Sequence, residues 1–220
     1  MIKPLLTLLL TVGMFIPGQV EAQAQALKTH ALKVKAKGTK TITLDDKVGK
    51  NQFQWFSTAP LENINGTAEG VKGTLTLDPQ DLTSIKANIS VEVGTFKSGN
   101  ETRDEHIKAA TWLNAAKHPR IEFTLDNVTA LKTEGAKASG IANGKFTMHG
   151  VTKPIAIPFT LDYLDASGKT AKRAAGDLVM ITADINVSLK DFNVEGSNGT
   201  IGNKVGETIK ISAKLFGASK

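Results

Sequence analysis

His30, His106, His118 and His149 are the only imidazoles in the chain, and there is no cysteine. No two of the histidines have the H-x-x-x-H or H-E-x-x-H spacing that places two ligands one helical turn apart, so no metal site is expected. The missing cysteines remove thiolate nucleophiles, zinc ribbons, iron–sulfur ligation and a lipid anchor at a lipobox cysteine. No serine sits in a Gly-x-Ser-x-Gly elbow. The glycine-rich stretch Gly199-Thr200-Ile201-Gly202 is not followed by the Gly-Lys-Ser/Thr of a phosphate loop. No pair of carboxylates is singled out by spacing. The sequence therefore predicts no catalytic residue, no metal and no cofactor, and points to a non-enzymatic protein.

The charged groups that could recognise a ligand are concentrated between Thr95 and Pro119. There Arg103-Asp104-Glu105-His106 precedes Trp112-Leu113 and His118-Pro119. This stretch is polar and helix-permissive. Ser98 and Glu101 have the spacing of a capping box. On a helix, Arg103 and His106 share one face, while Asp104 points about a quarter-turn away. Two readings follow. Arg103 and His106 form a polar clamp for a headgroup, or Arg103 and Asp104 pin the helix onto strand ends. Trp112-Leu113 packs such a cap over its support, with a direct ligand wall as the second reading. His106 and His118 are placed to meet across the cap.

The elements around this segment alternate with a period of two, the mark of strands with one buried face. Ser84–Val93 alternates before the cap, and Ile121–Leu125 after it. Leu32, Val34 and Ala36 alternate with lysines and read as a first or edge strand. Strand character resumes at 52–56, and Asn65-Gly66 signals a turn. Val128 is out of phase with Leu125, so a bulge is expected near Asp126-Asn127. Lys132–Ala138 reads as a polar connection and Ile141–His149 as a strand. Gly150 turns the chain into Ile155–Tyr163. Val179 to Leu189 is the most regular alternation, 193–206 reads as a long mobile loop, and Ile209 to Leu215 closes the pattern. About eight to ten strands and no long crossover helix exclude a parallel α/β sheet. Periodicity leaves an antiparallel barrel or a two-sheet sandwich.

Thr95, Gly99-Asn100, Arg103–His106, Trp112-Leu113, His118-Pro119 with Ile121 and Phe123, and the run Phe146-Thr147-Met148-His149-Gly150-Val151-Thr152-Lys153-Pro154 occur in this order. In that order they resemble the YceI-like, polyisoprenoid-binding family, from about Phe53 to Lys214. The family often has paired aromatics where this chain has Trp112-Leu113, and the first strands match it weakly. The resemblance implies an all-β, lipocalin-like antiparallel β-barrel with a short helical cap, holding a long isoprenoid chain inside. The expected wall includes Phe123, Ile141, Phe146, Ile157 and Phe159. Ile181, Ile185, Ile209 and Ile211 complete it. Arg103, Asp104, His106 and Trp112 are the expected headgroup and cap residues. A barrel of this kind can hold one small ligand. Many inward residues are Val, Ile, Ala and Gly, which leaves room.

Lys3 precedes the apolar run Leu5–Ile16, then Pro17-Gly18, with Val20 and Ala22 at the small-residue positions of a signal cleavage site. Residues 1–22 are thus read as a signal peptide and 27–217 as one barrel domain, exported to the periplasm. Lys3 and Glu21 cancel, so the formal charge of +6 stays with the mature chain. A basic surface favours anionic partners. Nucleic acid is not expected, because no aromatic-rich basic stripe is present. Transient contact with an anionic membrane surface fits, and a homodimer stays open. The expected function is a periplasmic carrier or store of an isoprenoid, an isoprenoid quinone or another apolar lipid. The alternative is a structural or stress-related envelope protein with a filled barrel.

Overall fold

The computed structural model describes residues 30–219; the expected signal peptide lies outside them. The ten strands are β1 (Lys40–Leu44), β2 (Gln52–Thr58), β3 (Asn63–Ala68), β4 (Lys72–Asp78), β5 (Asp81–Glu92), β6 (Arg120–Glu134), β7 (Lys137–Met148), β8 (Val151–Leu164), β9 (Leu178–Ser188) and β10 (Thr208–Ser219). The single α-helix among the described residues, α1, spans Glu101–Lys108. Every ladder between named strands is antiparallel. β4 through β10 follow one another except that β1 pairs with both β4 and β10, which closes the ring. β2 continues alongside β10 above β1, and β3 pairs with β2. β1–β2 and β3–β4 therefore act as two broken strands, and the wall is an eight-stranded closed barrel. This is the all-β, lipocalin-like barrel with a short helical cap that the sequence implied.

Two stretches of the wall have no ladder. β5 meets β6 only from Asn88 to Glu92, so its first half is splayed from the lower part of β6. The register of β6 against β7 shifts between Leu125 and Asn127, where the bulge was expected, and again between Thr129 and Lys132. Ala130 at the second shift has φ of 50°. β8 pairs with β7 from Val151 to Asp162, but with β9 only from Phe159 to Leu164.

The segment expected as a first strand is not one. Residues 31–39 form no ladder. Leu32 N–H donates to Pro79 O at 2.8 Å, and Lys33 N–H to Gly135 O at 2.7 Å. The carboxylate of Asp165 accepts from Lys35 N–H and Ala36 N–H at 2.8 and 2.9 Å. The segment is a strap across the lower end of the barrel. Leu32 is buried, and Val34 and Ala36 pack on the lower core with Leu77, Leu82, Leu161 and Val179. Their alternation reflects this burial and not strand pairing.

Three other expectations change. The polar connection at 132–138 is a hairpin: Glu134 pairs with Lys137 across Gly135-Ala136. The N-cap of α1 is Asn100, whose side chain accepts from Arg103 N–H at 3.1 Å, so the Ser98–Glu101 capping box does not form. The stretch 193–206 is folded: Ile201 and Val205 form an isolated bridge, and Val194 is buried.

Candidate ligand-binding chamber

The upper half of the barrel and the cap enclose a cavity of about 510 Å³, within the size range of small-molecule sites. Three pieces of chain form its roof. α1 contributes Thr102, Arg103, His106 and Ile107. The turn after it contributes Trp112 and Leu113. The segment 194–205 contributes Val194, Thr200, Lys204 and Val205. Gly196 N–H donates to Thr111 O at 2.8 Å and joins the last two pieces. A Cβ on Gly196 would lie 2.9 Å from the Trp112 ring, so the glycine allows this contact.

The walls are apolar: Trp55, Ile64 and Phe96 on one side, Met148, Val187 and Leu189 on the other. Trp55 stacks on Phe96 with ring centroids 6.5 Å apart. Its ring covers Gly66, where any Cβ would overlap it. Trp55 is 7% exposed, and its Nε1 is a buried donor with no partner.

A second lobe of about 140 Å³ lies deeper, and Ile121 and Ile211 form part of the wall of both. Phe123, Phe146, Ile157, Phe159, Ile181 and Ile185 line the deeper lobe, while Ile209 lines the upper chamber. Phe123, Phe159, Ile181 and Ile185 are only half-buried although they face inward, because they border the lobe on that side. Ile141 does not belong to this set. Ala142 and Phe146 face the lobe, so the odd-numbered Ile141 faces out and lies between Thr129 and Pro158 in the ladders. A period of two does not permit Ile141 and Phe146 to share a face.

Arg103 and His106 both border the upper chamber. Arg103 Nη2 donates to Glu62 Oε1 at 2.6 Å, so its charge is matched from the β2–β3 connection. Asp104 faces away. Its Oδ1 accepts from Ser98 N–H and Ser98 Oγ–H, both at 2.7 Å, and so fastens the helix start. His118 meets His149 with ring centroids 5.3 Å apart, and does not meet His106. Its partial burial, the neighbouring His149 and Lys117 hold His118 below the ordinary histidine range. Among the described residues no group of three or more His, Asp or Glu could hold a metal ion.

Sequence reasoning missed Glu62, Trp55, Thr200 and Lys204. Trp55 could have been found from the alternation Phe53, Trp55, Ser57 on the buried face of β2. Glu62 has no local signal, since its partner is 41 residues away.

The chain is 29% identical over 168 residues to Protein YceI of Salmonella newport (strain SL254), covering 76% of this chain and 83% of that protein. Its fold is similar to BcnA of Burkholderia cenocepacia, with a TM-score of 0.62 at 16% identity over 79% of this chain and 98% of the other. A polyisoprenoid binding domain from Saccharophagus degradans gives 0.60 at 11% identity, over 81% and 98%. The YceI protein of Campylobacter jejuni gives 0.60 at 18%, over 74% and 88%. The family description "YceI-like domain" matches residues 42–216, and with most of the barrel inside that match the chain belongs to the YceI-like family.

Proposed function

We propose that the protein is an exported, non-enzymatic binder of one amphipathic lipid with an isoprenoid-type tail. The observation that carries this reading is the interior that its own side chains leave unfilled: a chamber of about 510 Å³ adjoining an apolar lobe of about 140 Å³. The tail occupies the deeper lobe beyond Ile121 and Ile211. Each methylene placed there contributes on the order of 0.8 kcal/mol. The head stays under α1, where Arg103, His106, Lys204 and Thr200 supply polar groups. The polyisoprenoid-binding neighbour from Saccharophagus degradans supports the ligand class. The leader-like residues 1–22 support export to the periplasm, and the charge of +6 supports brief contact with an anionic membrane surface during exchange.

The test is a mass spectrum of the organic extract of protein purified from its native envelope. An isoprenoid lipid in near one-to-one amount is the expected result. An empty extract, together with no uptake of added isoprenoid, would leave a structural envelope role in its place.

A further inference from the structure

The gap in the wall between β8 and β9 has a sequence cause. His149 (φ 52°) and Gly150 (φ 75°) form a two-residue turn between Met148 and Val151. Positive φ at both central residues is the type I′ geometry of tight hairpins. In such a hairpin the flanking pair exchanges hydrogen bonds, and hydrogen-bonded pairs then alternate along the ladder. The odd-numbered residues of β8 therefore bond to β7, and the even-numbered ones present their N–H to β9. Pro154 and Pro158 occupy even positions and have no N–H to present. Pairing with β9 begins only after the second proline, at Phe159 opposite Ala183. Above that point Asp184, Asn186 and Ser188 pair with β10 on the other side of β9, but meet no strand here.

Residues at the edges of this gap border both cavities. Ile157 and Ile185 border the deeper lobe, and Val187 borders the upper chamber. One side chain stands across the gap. Phe192, in the 3-10 turn Lys190–Phe192 that follows β9, is buried. Its ring meets Phe146 of β7 at 5.5 Å and 79°. Since β8 lies between β7 and β9, that contact places the Phe192 ring on the inner side of β8. The turn is held to the β7–β8 hairpin by a hydrogen bond between His149 Nδ1 and Phe192 O, 3.1 Å. After Phe192 the chain passes through a left-handed residue, Asn193.

We propose that the opening between residues 151–158 and 184–188 is a side portal for the apolar tail of the ligand, with Phe192 as its gate. This rests on the carrier reading above. Rotation of the 190–192 turn away from Phe146 opens both lobes to the outside without moving α1 or Trp112. The tail then enters sideways, while the head remains near the polar roof. The prolines keep the two strand edges from zipping shut.

Two measurements test this. The first is amide hydrogen exchange on the ligand-free full-length mature protein. Asp184, Asn186 and Ser188 should exchange far faster than Leu178, Met180 and Thr182 on the same strand. In the double variant Pro154→Val with Pro158→Val that difference should shrink. Equal protection along β9 in the wild type would mean a closed wall and overturn the portal. The second is uptake of geranylgeraniol from phosphatidylcholine vesicles, followed by the emission of Trp55 and Trp112. Phe192→Ala should raise loading and release together, by about tenfold, with Kd nearly unchanged, since rates and affinity separate when only a barrier changes. The double proline variant should slow both. A wild type that loads at a rate which neither change alters overturns the portal alone. A wild type that binds no geranylgeraniol and yields no lipid on extraction overturns the carrier reading, and the portal with it.

Discussion

Arg103 on α1 and Glu62 between β2 and β3 form an ion pair at 2.6 Å across the rim of the upper chamber. Both side chains keep partial contact with solvent, 29% and 40%. Such a pair contributes at most about 1 kcal/mol to stability. Under the proposed function its larger effect is on the ligand, because the pair lowers the positive charge offered to a head. Glu62→Gln should therefore tighten binding of geranylgeranyl phosphate by about fivefold through the freed guanidinium, and leave geranylgeraniol unchanged. Arg103→Ala should weaken the phosphate ligand only. Titration calorimetry with both ligands decides this. Equal changes for both would show that the pair only holds the cap.

One carboxylate, Asp165, holds two amides of the strap at 31–37. Asp165→Ala leaves Lys35 N–H and Ala36 N–H without their acceptor. The cost should be about 1–3 kcal/mol, seen as a lower melting temperature. Limited proteolysis should then cut the strap before any barrel strand. An unchanged cleavage pattern would mean that buried Leu32 and the backbone bonds to Pro79 and Gly135 are enough to anchor it.

Tyr163 is the only tyrosine, and its hydroxyl donates to Asp177 Oδ2 at 2.8 Å in the lower core. Burial, that hydrogen bond and the Asp177 charge push the phenol far above its ordinary value of 10.0. An unfolded chain loses this proton near 10 and the folded chain keeps it. The contribution to stability is complete below about pH 10 and is lost as pH rises beyond it. Phenolate absorbance should appear only with unfolding, in one cooperative step, and Tyr163→Phe should flatten the alkaline loss of stability. Gradual ionisation of the native protein would contradict the assignment.

The barrel strands were legible because the inward residues of β9 and β10, of β8 from Ile155 and of β5 from Ile85 alternate without interruption. The phase of β7 was not. Its inward face is carried by Ala142, Gly144, Phe146 and Met148, and small residues give a weak signal beside the outward Ile141. The strap showed the opposite failure, since alternation at Leu32, Val34 and Ala36 reports burial under the barrel floor and says nothing of a neighbouring strand. Segment 193–206 read as a mobile loop because the contacts that dock it, Gly196 with Trp112 and Leu61 N–H with Asn203 O, are distant in sequence. The gap beside β8 was written in Pro154 and Pro158, but only the hairpin register says which way their missing N–H would have pointed.

Whether the interior accepts a tail can be decided by filling it. Ile157 on β8 borders the deeper lobe, and Thr182 lies on the outer face of β9 with its hydroxyl bonded to Thr160. Ile157→Trp adds a ring to a lobe of about 140 Å³. In an empty lobe the ring occupies space reserved for the ligand, so lipid retention falls while the melting temperature holds. In a filled core the same ring would overpack, at about 1–3 kcal/mol, and the melting temperature would fall instead. Thr182→Trp places the same ring outside and should leave retention intact. Both quantities must be measured on delipidated protein, because bound ligand raises apparent stability by mass action. Loss of stability in Ile157→Trp without loss of binding would place the ligand elsewhere. Loss of binding with the fold intact would put the tail in the lobe between Phe146, Ile157 and Ile185.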